Sequence, residues 1–206
     1  MIYDISLELS GETIAYPDNP EIKIRTAKSI PGSGANVSEI KMGSHSGTHA
    51  DSLRHIENTG NAVEKLPLDS FYGNAKVLDL TACSSCILAA DLQALDIRAG
   101  DIILLKTRNS LRGFKQFYAD FIYLSEEGAG YLAKKGIKTL GIDSLSVQKF
   151  HSGNQNVHNL ILSSMTLFEG LDLSKVPPGE YIFAGLPLRI KGCDSAPARA
   201  ILISRP

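Results

Sequence analysis

Three of the five histidines in this 206-residue chain fall within one short run, His45-Ser-Gly-Thr-His49-Ala-Asp51-Ser-Leu-Arg-His55. Imidazoles and a carboxylate supply the nitrogen and oxygen lone pairs of a divalent-metal site. The small residues between them let the backbone curl until several donors reach one ion. On a helix His45 and His49 would share a face, but Asp51 and His55 would drift off it. In a strand all four lie on one side by parity, yet at about 3.3 Å per residue they spread over about 33 Å. A strand end curling through Gly47 into a loop is the form that gathers them. Three local donors leave coordination positions open, the pattern of a catalytic ion, and the chemistry implied is metal-assisted hydrolysis.

A further ligand can come from distant sequence, and two residues are candidates. His158 sits in Asn-Val-His-Asn-Leu-Ile-Leu, ahead of an apolar run, and Glu169 is a lone carboxylate in Leu167-Phe-Glu-Gly-Leu171. Charged groups in such settings are usually paired or bound to metal. His151, in a polar loop, reads as solvated. No serine occupies a Gly-x-Ser-x-Gly elbow, so Ser46 and Thr48 read as packing groups or as donors that steady the ligands. Cys83-Ser-Ser-Cys86 has a spacing compatible with zinc or redox chemistry, but Cys193 is the only other thiol. The pair reads as two ordinary thiols near the start of a helix.

Composition narrows the function classes. An apolar content of 43% can fill a substantial core, and the length suits one domain over residues 1–206. A net charge of -1, with no basic block longer than Lys134-Lys135, gives no electrostatic case for nucleic acid or an anionic membrane. No stretch approaches the roughly 20 apolar residues of a membrane span, the longest dense run being Ile102 to Leu105. Met-Ile-Tyr-Asp-Ile lacks the basic start and apolar core of a signal peptide, and three cysteines make no disulfide framework. A reducing cytoplasm is the expected setting.

The elements that must position these residues are legible from periodicity. Alternation predicts strands over Ile2 to Leu9, Glu21 to Arg25 and Val37 to Met42, with a proline turn at Tyr16-Pro-Asp-Asn-Pro20. Ala75 to Leu80 and Lys138 to Ile142 read as strands, and Asp101 to Thr107 as an interior one. Ala89 to Leu95 reads as a short helix. A longer helix runs from an N-cap at Ser125 through acidic Glu126 and Glu127 to Lys134-Lys135-Gly136. Further strands are expected at Asn159 to Leu162, Tyr181 to Ala184, Leu188 to Ile190 and Ala198 to Ser204. Strands outnumber helices, which predicts an α/β fold built on a mixed sheet or partial barrel with flanking helices.

The run His45-x-Gly-Thr-His49-x-Asp51-x-x-x-His55 resembles the signature of the cyclase-like metal-dependent hydrolases, the family of bacterial kynurenine formamidase and isatin hydrolase. Asp4-Ile-Ser, Tyr16-Pro-Asp-Asn-Pro, Leu66-Pro-Leu, Gly73-x-Ala-x-Val-Leu-Asp79, Gly141-Ile-Asp143-Ser-x-Ser, His158 and Glu169 extend the likeness over nearly the whole chain. The resemblance implies a swivelling β/β/α fold, a homo-oligomer (dimer or tetramer) and two adjacent divalent ions, zinc or manganese. By that analogy His45, His49 and Asp51 hold one ion, Asp51 bridges to a second held by His158 and Glu169, and His55 is the general acid/base. The implied reaction is hydrolysis of a small-molecule amide, first of all N-formylkynurenine to kynurenine and formate. The alternatives are a sister hydrolase acting on a cyclic amide, lactone or other carbonyl compound, and a non-catalytic metal or small-ligand binder. Leu53 stands where the family commonly has proline, and Ala15-Tyr16 where formamidases often carry tryptophan. Tyr16, Phe71 and Tyr72 are the candidates for an aromatic pocket wall.

Overall fold

The computed structural model describes residues 1–204. Strands β1 (Ile2–Asp4), β2 (Lys23–Lys28), β3 (Val37–Lys41) and β4 (His49–Asp51) precede β5 (Tyr72–Asp79), β6 (Cys86–Ile87) and helix α1 (Ala89–Gln93). Then come β7 (Ile102–Lys106), α2 (Arg108–Arg112), β8 (Tyr123–Leu124), α3 (Glu126–Lys135) and β9 (Thr139–Ile142). Helix α4 (Asn156–Leu162), β10 (Thr166–Glu169), β11 (Gly179–Pro187) and β12 (Ser195–Ser204) complete the order.

The main sheet runs β1-β12-β11-β5-β7-β9-β10-β4, and β4 pairs again with the start of β12. Seven strands therefore close on themselves, while β1 adds to the later part of β12. The β5-β7-β9-β10 stretch is parallel and the remaining pairs are antiparallel, which is the mixed, barrel-like sheet expected. Residues Ile102 to Leu105 are all fully buried because the two sides of β7 face two cores. Ile103 and Leu105 pack with Leu92, Leu132 and Ile161 under the helices. Ile102 and Leu104 pack with Phe168, Phe183 and Leu202 inside the closed sheet. A strand buried on both faces shows a continuous apolar run instead of alternation.

Helix α3 follows the expected chemistry at both ends. The Ser125 hydroxyl accepts from the Gly128 N–H at 3.0 Å, and Gly136 closes the helix in the left-handed conformation. Other expectations need correction. Asn159 to Leu162 is helical, not extended. Its buried residues Val157, His158, Ile161 and Leu162 form a helical stripe, and a short apolar run cannot distinguish the two forms. The strand belongs instead to Thr166–Glu169. Leu188 to Ile190 is a turn in which the Ile190 N–H donates to the Leu188 carbonyl at 2.9 Å. The first strand stops at Asp4, apart from an isolated bridge between Ser6 and Leu171. β2 and β3 pair with each other as a hairpin, and every residue of the two strands is exposed. No helix among the described residues is long and apolar enough to cross a membrane.

Candidate metal centre

The histidine run curls twice. Gly47, at φ +61°, turns the chain before β4, and a 3-10 turn over Leu53–His55 bends it again after Ser52. The expected curl at Gly47 is therefore present, but it enters a strand instead of leaving one. Within β4, His49 and Asp51 point to one face and Ala50 points into the closed sheet. Glu169 is the register partner of His49 across β4 and β10, and opposite residues of an antiparallel pair share a face. α4 covers that face and supplies His158. All six residues singled out from sequence thus meet in one place.

The distances are short. His45 Nδ1 lies 3.1 Å from Asp51 Oδ1, and His49 Nε2 lies 3.5 Å from the same oxygen. Glu169 Oε2 is 3.5 Å from His49 Nε2, and Oε1 is 3.5 Å from His158 Nε2. Donor atoms of His45, His49 and Asp51 lie within 4.8 Å of one another, as do those of Asp51, His55 and His158. His49 Nε2, both Asp51 carboxylate oxygens and His158 Nδ1 are buried with no hydrogen-bond partner. Leaving buried polar atoms unsatisfied is expensive, on the order of 1–3 kcal/mol each. Orphaned polar atoms on β4 and α4, with the Glu169 carboxylate of β10 beside them, fit a divalent cation.

The electrostatics point the same way. Burial alone would lower the His45 pKa, but the Asp51 and Asp194 carboxylates override it and push it up to about 10. His49 and His158 are likewise raised against their burial, by Asp51 and Glu169 for the first and chiefly by Glu169 for the second. Burial works to raise Asp51, yet His49, His45 and His55 hold it well below the ordinary carboxylate range. Glu169 is lowered in the same manner by His158 and His49. Without an ion, these carboxylates favour protons on the imidazoles, His45 above all. A cation would take the place of those protons.

A cleft of about 450 Å³ opens over the cluster and is lined by His45, His55, His158, Glu169, Tyr16 and the loop from Leu145 to Gln155. Tyr16 makes edge-on contacts with Phe117 and Phe150, at ring separations of 5.4 and 5.8 Å. Phe71 and Tyr72 do not line this cleft. Phe71 packs inside the closed sheet against Phe168, and Tyr72 is exposed at the start of β5. His151, read from sequence as solvated, is exposed but stacks on Phe150 at 3.8 Å and borders the cleft. Thr48 is a structural clasp, its hydroxyl accepting from the Leu7 N–H at 2.9 Å and donating to the Gly170 carbonyl.

Sequence reasoning missed two residues. Asp194 has a carboxylate oxygen 2.7 Å from His45 Nε2 and 3.8 Å from His55 Nδ1. Gln148, buried, accepts through Oε1 from the Val157 and His158 N–H groups at 3.0 and 3.4 Å, capping α4 and so placing His158. Its side-chain amide also donates to Ser152 Oγ at 2.7 Å. Both signals were local polar residues with no distinguishing neighbours.

The Cyclase family model, described as "Putative cyclase", matches residues 3–149, a span that includes His45, His49, Asp51 and His55. The chain belongs to the Cyclase family. Kynurenine formamidase of Salinibacter ruber is 31% identical over 208 residues, spanning 100% of this chain and 98% of that protein. The solved structure of a potential metal-dependent hydrolase with cyclase activity matches with a TM-score of 0.88 at 34% identity, over 100% of this chain and 99% of that one. Isatin hydrolase A from Ralstonia solanacearum shares the fold, with a TM-score of 0.83 at 22% identity over 99% and 92% of the two chains. In this Cyclase-family chain, His158 and Glu169 lie beyond the matched residues and join the cluster through α4 and β10.

Proposed function

We propose that this chain is a metal-dependent amide hydrolase that cleaves an N-formyl arylamine, with N-formylkynurenine as the leading substrate. The observation that carries the reading is the set of buried, unpartnered donor atoms on His49, Asp51 and His158 beneath an open cleft. Full-length similarity to kynurenine formamidase supports the reaction class. His45, His49 and Asp51 would hold one ion, and Asp51, His158 and Glu169 a second, with zinc and manganese both suited to this donor set. Such ions supply Lewis-acid polarisation of a carbonyl and lower the pKa of a coordinated water from about 15.7 toward 7.

The protein's own groups do the rest. His55 borders both the cleft and the cluster, with 29% of its side chain exposed, so it can hand a proton to the leaving nitrogen. A formyl group is small and an arylamine leaves more readily than an alkylamine, so no covalent nucleophile is required. Tyr16, braced from outside the cleft lining by Phe150, offers aromatic surface for the aryl ring. The test pairs elemental analysis with formamidase assays. His55→Ala should keep its metal and lose most turnover, and Asp51→Ala should lose both. Full activity in His55→Ala would remove the acid/base role.

A second reading is hydrolysis of a cyclic amide or lactone at the same centre. It is favoured by Tyr16 standing where the resemblance expects tryptophan, in a chain that has none. A panel of formamides, lactones and isatin, run with zinc, manganese and metal-free protein, separates the two.

A further inference from the structure

We infer that Asp194 is a positioning residue that fixes which nitrogen His45 offers to an ion and where the His55 ring stands. The inference rests on the metal-hydrolase reading above. Asp194 immediately precedes β12, at the point where β12 meets β4 and closes the sheet. Asp194 and its two chain neighbours are each pinned there. Ser52 donates to the Asp194 carbonyl through its N–H at 3.0 Å and its hydroxyl at 2.7 Å. The Val63 N–H donates to the Cys193 carbonyl at 2.9 Å, and Ser195 Oγ donates to the Ala50 carbonyl at 2.9 Å. The carboxylate therefore projects from a fixed frame against the histidine run.

That carboxylate reaches both rings. Oδ2 lies 2.7 Å from His45 Nε2 and 3.8 Å from His55 Nδ1, and Oδ1 accepts from Ser44 Oγ at 3.0 Å. An imidazole that donates from Nε2 to a carboxylate has only its Nδ1 lone pair left for a metal. For His45 that nitrogen faces Asp51 Oδ1 at 3.1 Å, toward the centre of the cluster. His49 is arranged the other way. Its Nδ1 is 2.9 Å from the Gly47 carbonyl, a partner that can only accept, so Nε2 is the free nitrogen.

The two histidines therefore meet the ion in opposite tautomers, one set by Asp194 and the other by the backbone. A carboxylate that accepts from a ligand's far N–H orients the ring and makes the ligating nitrogen more basic. Because the same oxygen approaches His55, whose ring centre is 4.4 Å from that of His45, one side chain registers ligand and proton carrier against each other.

The test uses zinc-loaded protein labelled with ¹⁵N-histidine. Long-range ¹H–¹⁵N spectra should show His45 protonated at Nε2 and metal-bound at Nδ1, with the reverse pattern for His49. Zinc affinity by calorimetry should fall about 10–100-fold in Asp194→Ala. Asp194→Asn keeps the shape and one acceptor oxygen and should lose less. In both variants kcat should fall more than KM rises, since the rings are displaced and the cleft is not. The spectrum of the unsubstituted protein decides the tautomer even if Asp194→Ala fails to fold. Metal at His45 Nε2, or zinc affinity unchanged in a folded Asp194→Ala, would overturn the inference. Failure of the unsubstituted protein to bind zinc or manganese would instead overturn the hydrolase reading beneath it.

Discussion

Glu169 stands directly opposite His49 across the β4–β10 pair, its Oε2 3.5 Å from the imidazole Nε2. The register of one short antiparallel pair thus delivers a distant carboxylate to the histidine run. The other oxygen, Oε1, accepts from the Val147 N–H at 2.6 Å, so the carboxylate cannot swing away. Glu169→Gln should preserve that hydrogen bond while removing the charge. On the two-ion reading proposed above, the expected outcome is loss of the ion that Glu169 would hold, with metal content by elemental analysis falling by one per chain. Turnover should fall on the order of 10²-fold, the size of effect seen when a developing charge loses one stabilising group. Two tightly held ions in the variant would show that Glu169 is not a ligand.

Much of this centre was legible because its first half is local. His45 to His55 could be read from spacing and donor chemistry alone, and Ile102 to Leu105 marked the strand buried between two cores. The parts that were not legible depend on tertiary closure. Asp194, in Gly-Cys-Asp-Ser, looks like any turn aspartate until β12 pairs with β4. The helical state of Asn156–Leu162 depends on Gln148 reaching its N-terminus from outside the segment. Phe117 and Phe150 reach Tyr16 from segments far along the chain, which no local pattern reveals.

Gly170, immediately after Glu169, should not tolerate a side chain. It sits at φ +69°, and a Cβ there would lie 2.6 Å from the Gly47 carbonyl oxygen. The left-handed conformation alone costs about 1–3 kcal/mol for a non-glycine residue. In a chain of this size that corresponds to a Tm loss of roughly 2–12 °C. Gly136 offers the control, because it has the same φ, +69°, in the left-handed conformation, but a Cβ there meets only Ala99 Cβ at 3.8 Å. Gly170→Ala should therefore lower Tm more than Gly136→Ala does, and it alone should weaken zinc binding. Equal losses in the two variants would mean that the Gly47–Gly170 contact does not hold the metal loop.

Cys83 and Cys86 should be dispensable for catalysis. Neither lines the cleft, and burial together with the nearby Asp91 pushes the Cys83 thiol up to about 11. A thiol so strongly protonated at neutral pH is a poor metal ligand and a poor nucleophile. The double variant Cys83→Ser with Cys86→Ser should keep its metal content and a kcat/KM within about twofold, the range of a substitution outside the reacting groups. Loss of metal in that variant would reveal a thiolate site.

The metal-free protein should lose stability as pH rises, and the direction follows from His45. Its pKa in the folded state is about 10 against an ordinary value of 6.5, because Asp51 and Asp194 outweigh the effect of burial. The folded protein therefore binds this proton more tightly than the unfolded chain. The associated stability is fully present below about pH 6.5 and drains away as pH climbs through about 10. The raised Cys83 thiol acts in the same direction above its ordinary value of 9.0, so the measurement belongs in a Cys83→Ser background. Asp51 and Asp194 have the opposite sign. Both are held below 3.8, so their contribution is present above that value and is lost only under strong acid. Denaturation midpoints of the metal-free protein should accordingly be highest between about pH 4 and 6.5 and decline steadily toward pH 10. Zinc should flatten that decline by occupying the position of the imidazole protons, and its binding near pH 7 should release protons, measurable as a calorimetric heat that depends on the buffer. A metal-free protein that grows more stable from pH 7 to 10 would contradict the charge balance drawn for this cluster.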